Sequence, residues 1–217
     1  MAKLPRPPSI ETLRSPEGGC DVVTLPASTR LVRVYLRGGG HPTRWNRFRH
    51  FGPTAARFDH HVPDASGAGR MQDRGILYAA GGHDAAGLVC LAEVFQKRRL
   101  INRARGVPWI VTFDTVRPLR LLDLTALWPT RAGASTAIAS GHRPRAREWS
   151  RRSYEAYPDI EGLWYPSSMA GHAPAMALYE RAAGALPAAP RANRGLDDPV
   201  IDGLLEDAAI RLNYRLY

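Results

Sequence analysis

The acid inside an apolar helix is the first residue whose placement asks for chemistry. Glu93 stands between Ala92 and Val94 in GLVCLAEVF. A buried ionised carboxylate is costly unless it is paired or hydrogen-bonded. Two readings follow. Glu93 forms a salt bridge to an arginine such as Arg33 or Arg57, or it sits at the base of a pocket facing a cation or a sugar hydroxyl. The two are compatible, because arginines and a glutamate in one pocket orient each other.

Arginines are the second group. In TRLVRVYLRG, Val32, Val34 and Leu36 alternate with Arg33, Tyr35 and Arg37. Period-two alternation is a strand, and it puts Arg33, Tyr35 and Arg37 on one face. That face is either solvated or an anion-binding wall of a cleft. In AARFDHHVPD, Arg57 precedes Phe58, and an arginine beside an aromatic can hold a phosphate and a stacked base together. TRWNRF, with Arg44, repeats the pattern and competes for the role. Three serines are candidates: Ser150 and Ser153 in REWSRRSYEAY, and Ser167 in YPSS.

Several chemistries find no support. His60 and His61 are adjacent, so on a strand they point opposite ways and chelate poorly. No CxxC or HExxH spacing occurs, so no metal site is expected. GxSxG, P-loop and GxGxxG fingerprints are all missing. Glu93 is the one acid that reads as buried, so a glycosidase pair of carboxylates is not evident. The two cysteines argue against a disulfide scaffold, and Cys90 in GLVCLAE reads as a small buried apolar residue.

The elements that must position these residues follow from pattern. The chain has 217 residues and 44% hydrophobic composition, enough for one core. Residues 1–28, rich in Pro, Gly and Ser, read as an N-terminal arm with a short helix at IETLR, and 29–217 as one catalytic domain. Strands are expected at TRLVRVYLRG, ILYAA, VPWIVTFDT, LRLLDLT and EGLWYPSS. Helices are expected over 84–99 with Asp84 as N-cap, at TALWP, at PRAREWSRRSYEAY and near the C-terminus. APAMALYERA fits strand or helix, and residues 38–75 read as irregular. A structureless stretch that long is usually functional or mobile. The mixture is α+β, a curved sheet with helices packed around it.

Net charge is +10, and Lys3 and Lys97 are the only lysines. A GC-rich genome explains the arginines as well as an anionic ligand does. No stretch approaches the roughly 20 apolar residues of a membrane span, and MAKLPRPPSIETL lacks an apolar signal core. A soluble, cytoplasmic, bacterial-style protein is expected, with no membrane partner.

In order, LVRVY, AARFDHH, ILYAA, LAEVF, EWS and GLWYPSS resemble the motifs of the RES domain, a family named for its Arg, Glu and Ser. The match spans roughly residues 30–180. The resemblance implies a compact fold similar to ADP-ribosyltransferases, and NAD⁺ as substrate rather than a resident cofactor. It implies glycohydrolysis, or phosphorolysis with inorganic phosphate as co-substrate. Many such proteins are toxins neutralised by a helix-turn-helix antitoxin, so that partner is implied too, and a homodimer stays open. Carried over by motif, Arg33, Glu93 and Ser150 are catalytic, and Arg57, Tyr78 and Tyr35 bind substrate. Arg44 remains the rival of Arg57, and Ser167 of Ser150. Ala56 departs from the family, which usually has Gly there, and DASGAGRMQDRG is a long insertion before Tyr78.

Three other functions compete. An ADP-ribosyltransferase modifying a protein would use the same pocket. A nucleic-acid-binding protein or RNA-cleaving toxin would use the +10 charge, but no RNA-recognition motif or interleaved aromatic stripe is visible. An NAD-sensing module would bind without cleaving.

Overall fold

A computed structural model describes residues 4–15 and 20–217. Its centre is a nine-stranded mixed sheet. In chain order the described elements begin with α1 (Ile10–Arg14), β1 (Val22–Leu25), β2 (Arg30–Leu36), β3 (Arg49–Gly52), β4 (Arg70–Gly81) and α2 (Ala86–Phe95). Next come β5 (Leu100–Ile101), β6 (Pro108–Asp114), β7 (Leu119–Asp123), α3 (Trp128–Arg131), α4 (Ala137–Ser140) and α5 (Arg143–Ala156). The chain ends with β8 (Gly162–Pro166), β9 (Pro174–Tyr179), β10 (Ala192–Gly195), α6 (Asp202–Leu212) and β11 (Arg215–Leu216). The sheet order is β1-β7-β8-β9-β4-β2-β6-β10, with β3 also paired to β4; β7 and β8 run parallel, the other pairs antiparallel. The fold is α+β.

Each face of the sheet has its own core. Alternation sends Val32, Val34, Ile76 and Ala80 toward α2 and α5, where they meet Leu91 and Trp149. Leu31, Tyr35, Leu77 and Ala79 face the other way, onto Phe113 and Met176. No helix among the described residues is long and apolar enough to cross a membrane.

Where the strands part decides where the site is. β2 pairs with β4 at only two positions, Leu31↔Gly81 and Val32↔Ala80. Beyond them β4 turns to β3, through Arg49↔Ile76 and, past a bulge, Phe51↔Met71. The central sheet is therefore split, and the opening lies between Arg33–Val34 on one side and Tyr78–Ala79 on the other. Gly81 sits at the apex of the split. A Cβ there would lie 2.4 Å from the carbonyl oxygen of Arg30 and 2.4 Å from Leu31 Cδ2. Gly81→Ala is therefore expected to cost about 1–3 kcal/mol of stability through overpacking. Urea denaturation measures it, and an unchanged midpoint would refute the close approach.

Several expectations are corrected. Residues 38–75 are not wholly irregular: they hold β3 and the start of β4, so the ILYAA strand begins at Arg70. The DASGAGRMQDRG insertion is largely the turn and the outgoing arm of that ribbon. Helix α2 is capped by Ala85, not Asp84; Gly82 at φ 72° and His83, bonded to the Pro174 carbonyl at 2.8 Å, hold the preceding residues as a turn. The TALWP helix begins later, at Trp128, and APAMALYERA is a strand followed by a 3₁₀ turn. The sheet also reaches into the arm, since β1 pairs with β7.

Candidate active site

The split sheet opens onto a cavity of about 640 Å³, within the range of small-molecule sites. Arg33, Arg57, Tyr78 and Glu93 all line it, brought from β2, the loop after β3, β4 and α2.

Arg33 is the most unusual of them. Its residue is 9% exposed, and its buried Nη1 has no hydrogen-bond partner. Burial pushes its guanidinium down to about 10, and the like charge of Arg49 adds to the effect. The group is thus charged at neutral pH, desolvated and short of an acceptor.

Arg57 is half-buried and fixed by carbonyls. Nη1 donates to Gly141 O at 2.6 Å and Nη2 to Ser140 O at 3.3 Å, at the C-terminal end of α4. Burial lowers its pKa and Arg143 lowers it further, while the negative charge of Glu93 acts in the opposite direction. Glu93 itself is only partly buried. Its Oε1 accepts from Ser167 Oγ at 2.6 Å and its Oε2 from Gln96 Nε2 at 3.2 Å. Gln96 is held in turn by Arg143, which donates to its Oε1 at 2.7 Å. Among the described residues Glu93 makes no ion pair, so neither Arg33 nor Arg57 neutralises it by direct contact. The carboxylate is oriented by neutral donors and has no counter-charge in contact with it among the described residues.

Tyr78 stands on the wall of β4, and burial pushes its phenol well above its usual value. Cys90 lies between these groups and donates its Sγ proton to Val32 O at 3.1 Å; burial pushes its thiol up to about 12, which leaves it unreactive.

The serines separate. Ser150 is not on the cavity wall: it is fully buried on α5, and its Oγ donates to Phe58 O at 2.7 Å, fixing the residue next to Arg57. Ser167, at the end of β8, touches Glu93 directly. Ser153 is buried on the same helix as Ser150. Tyr35 and Arg44 lie outside the cavity, in an adjoining groove, where the Tyr35 hydroxyl donates to Asn193 Oδ1 at 2.9 Å.

Three further arginines line the cavity without having been singled out from sequence: Arg47, Arg49 and Arg143. Arg49 donates to Asp59 Oδ2 at 2.9 Å and to the Phe51 carbonyl. Asp59 is fully buried, and it also accepts from Thr54 N at 2.6 Å, Thr54 Oγ1 at 2.8 Å and His61 Nδ1. Burial opposes its charge, but the bond from His61, the charge of Arg49 and the Thr54 donors outweigh burial and hold the carboxyl well below the usual range. The alternation of RFRHF was the signal for Arg49, obscured by its glycine- and proline-rich surroundings. His60 stacks on Tyr154 at 4.5 Å, and burial keeps it neutral. No group of three His, Cys, Asp or Glu among the described residues could hold a metal ion.

Five arginines and one acid line the cavity, so it suits a ligand that is anionic along its length and carries a cationic end beside Glu93. No protein-family model matches the chain, and no curated protein matches it in sequence. Among solved structures, it is similar to a chain of the crystal structure of the M. tuberculosis MbcT–MbcA toxin–antitoxin complex, at 17% identity and a TM-score of 0.53, over 86% of this chain and 92% of that one. At that identity the likeness establishes a shared fold: the chain has the architecture of a component of a toxin–antitoxin complex.

Proposed function

We propose that the cavity binds NAD⁺ and breaks the bond between nicotinamide and its ribose, with water or inorganic phosphate as the acceptor. The observation that carries this reading is one cavity holding both a desolvated guanidinium without a full set of acceptors, Arg33, and a charged, oriented carboxylate, Glu93. NAD⁺ offers both complements: a pyrophosphate for the arginines and a pyridinium–ribose end for the acid. The order of RES-like motifs points the same way.

As the glycosidic bond breaks, its electron pair leaves with nicotinamide, which becomes neutral. Positive charge moves to the ribose. Glu93 stabilises that charge and accepts from the ribose hydroxyls; fixed charge aimed at a developing charge is usually the largest single catalytic contribution. Ser167 keeps the carboxylate in place. Arg33, with Arg57 and Arg49, holds the phosphates, and Tyr78 offers a ring face to the nicotinamide. Water as acceptor yields ADP-ribose and releases one proton; phosphate yields the 1″-phosphorylated product. Ser150 acts through Phe58 to keep Arg57 in register. The fold shared with a component of a toxin–antitoxin complex supports reading the protein as the toxin of such a pair, and a helix-turn-helix antitoxin is the partner that the RES-like motifs suggest.

The test is incubation of the purified protein with NAD⁺, with and without phosphate, followed by product identification. Free nicotinamide is expected, and acceleration by phosphate assigns phosphorolysis. NAD⁺ that binds yet stays intact on long incubation would make the chain a sensor and overturn the reading. An ADP-ribosylated protein as the main product would make it a transferase.

A further inference from the structure

A second concavity of about 580 Å³ adjoins the first, and Pro42, Thr43 and Arg47 line both. No acid lines it, while Arg37, Arg44 and Arg47 do. None of these three forms an ion pair among the described residues. Trp45 lies in the same wall, and its ring packs on Phe113 at 5.2 Å between centroids. Arg37 is also fixed: it lies 3.4 Å over the Trp109 ring and donates to the Tyr35 hydroxyl at 3.1 Å, which itself donates to Asn193. The groove therefore presents a braced aromatic ring flanked by unneutralised guanidinium groups. Such a combination suits a nucleobase attached to phosphate, because every base has a π-face and arginine donates to phosphate oxygens in parallel.

We propose that this groove seats the adenosine half of the dinucleotide, with adenine against the Trp45 indole and the adenosine phosphate between Arg44 and Arg47. The inference rests on NAD⁺ being the substrate of the main cavity, and it names where the half remote from the chemistry binds. Arg47, common to both walls, marks where the diphosphate crosses. The ligand class for the groove is a purine nucleoside diphosphate.

Two measurements test it. In the first, ADP is titrated calorimetrically into the parent protein, Trp45→Leu and Arg44→Ala. Leucine keeps an apolar neighbour for Phe113 without a stacking face, and Arg44 is exposed, so both variants are expected to fold. ADP should bind the parent and bind Trp45→Leu about tenfold or more weakly, the scale of one base–aromatic stack. In the second, kcat/KM is compared for NAD⁺ and for nicotinamide mononucleotide, which has no adenosine. The preference for NAD⁺ should fall about tenfold or more in Trp45→Leu.

Equal ADP affinity in parent and variants, or an unaltered preference, overturns the proposal. So does a Trp45-dependent affinity for single-stranded RNA in a protein that ignores ADP. If NAD⁺ stays intact while ADP binding depends on Trp45, the groove stands and the glycosidic reading falls. If NAD⁺ is cleaved while ADP binding ignores Trp45, the reverse holds.

Discussion

Glu93→Gln is expected to fold as the parent does and to lower NAD⁺ turnover by about a hundred- to a thousandfold, the usual loss when one transition-state stabilising group is removed. Glutamine has the same shape. Its oxygen still accepts from Ser167 Oγ, which now lies 2.6 Å from Glu93 Oε1. Its amide nitrogen would face Gln96 Nε2, which now donates at 3.2 Å, so that one long bond is lost at a partly exposed side chain while Gln96 keeps its bonds to the Glu93 carbonyl and Arg143, a cost of about 1 kcal/mol. Stability should therefore change little, while the negative charge is lost. The ribose gains its positive charge only as the bond breaks, so the loss falls mainly on kcat rather than KM. Steady-state kinetics of nicotinamide release, with circular dichroism as the check on folding, decides the matter. A folded Glu93→Gln protein that consumed NAD⁺ at the parent rate would remove Glu93 from the chemistry.

Arg33 and Glu93 were legible in the sequence for a common reason. Each is a charged exception within a regular pattern: an arginine in a strand of alternating valines, an acid in an apolar helix. Regular elements translate spacing into direction, which left a cleft wall as one of two readings for Arg33, and the order of RES-like motifs then put both residues in one site. The α+β class was legible from the same periodicities. Arg47 and Arg49 were not, because they stand where glycines and prolines hide a short bulged strand whose pairing with β4 is set by tertiary contact. The serines show a different limit. Ser150 is on a well-predicted helix, but which face that helix buries depends on the Phe58 backbone lying against it. Ser167 was the rival of Ser150, and its contact with Glu93 depends on the end of β8 meeting α2. Tyr35 shares a strand face with Arg33, yet the loop after β2 divides that face into cavity and groove, so the two line adjoining spaces.

The split between β2 and β4 also explains why the site is confined. Two strand neighbours that pair only at Leu31↔Gly81 and Val32↔Ala80 leave the backbone of both strands facing a gap. A continuous sheet would bury these positions against one another and leave no room for a ligand. Here β3 takes over the edge of β4, so the ladder is partly completed without closing the opening. The geometry that creates the cavity is thus a matter of pairing register, and the side chains that line it are only as close as that register makes them.

Arg33→Met is expected to make the protein more stable and to weaken binding of the dinucleotide, a pairing of effects that separates a ligand-binding charge from a structural one. An arginine with its guanidinium desolvated and short of an acceptor is a cost to the folded state. Its folded pKa of about 10 lies below the usual 12.5. A base whose pKa is depressed on folding loses stability while both states hold the proton; that penalty is complete below pH 10 and is relieved only as pH rises from there toward the unfolded value. At neutral pH it corresponds to roughly 3 kcal/mol. Methionine fills much of the same volume without charge and adapts to irregular walls. Allowing for imperfect packing, a net gain of about 2 kcal/mol is expected, a rise in Tm of about 4–8 °C for a chain of this size. ADP-ribose should raise the Tm of the parent by mass action and raise that of Arg33→Met much less, by what the Trp45 groove alone still holds. Thermal unfolding of both proteins with and without ADP-ribose reads both effects at once. A variant that lost stability instead would show that the fold itself satisfies Arg33, and a ligand shift preserved in full in the variant would show that the anion is held elsewhere.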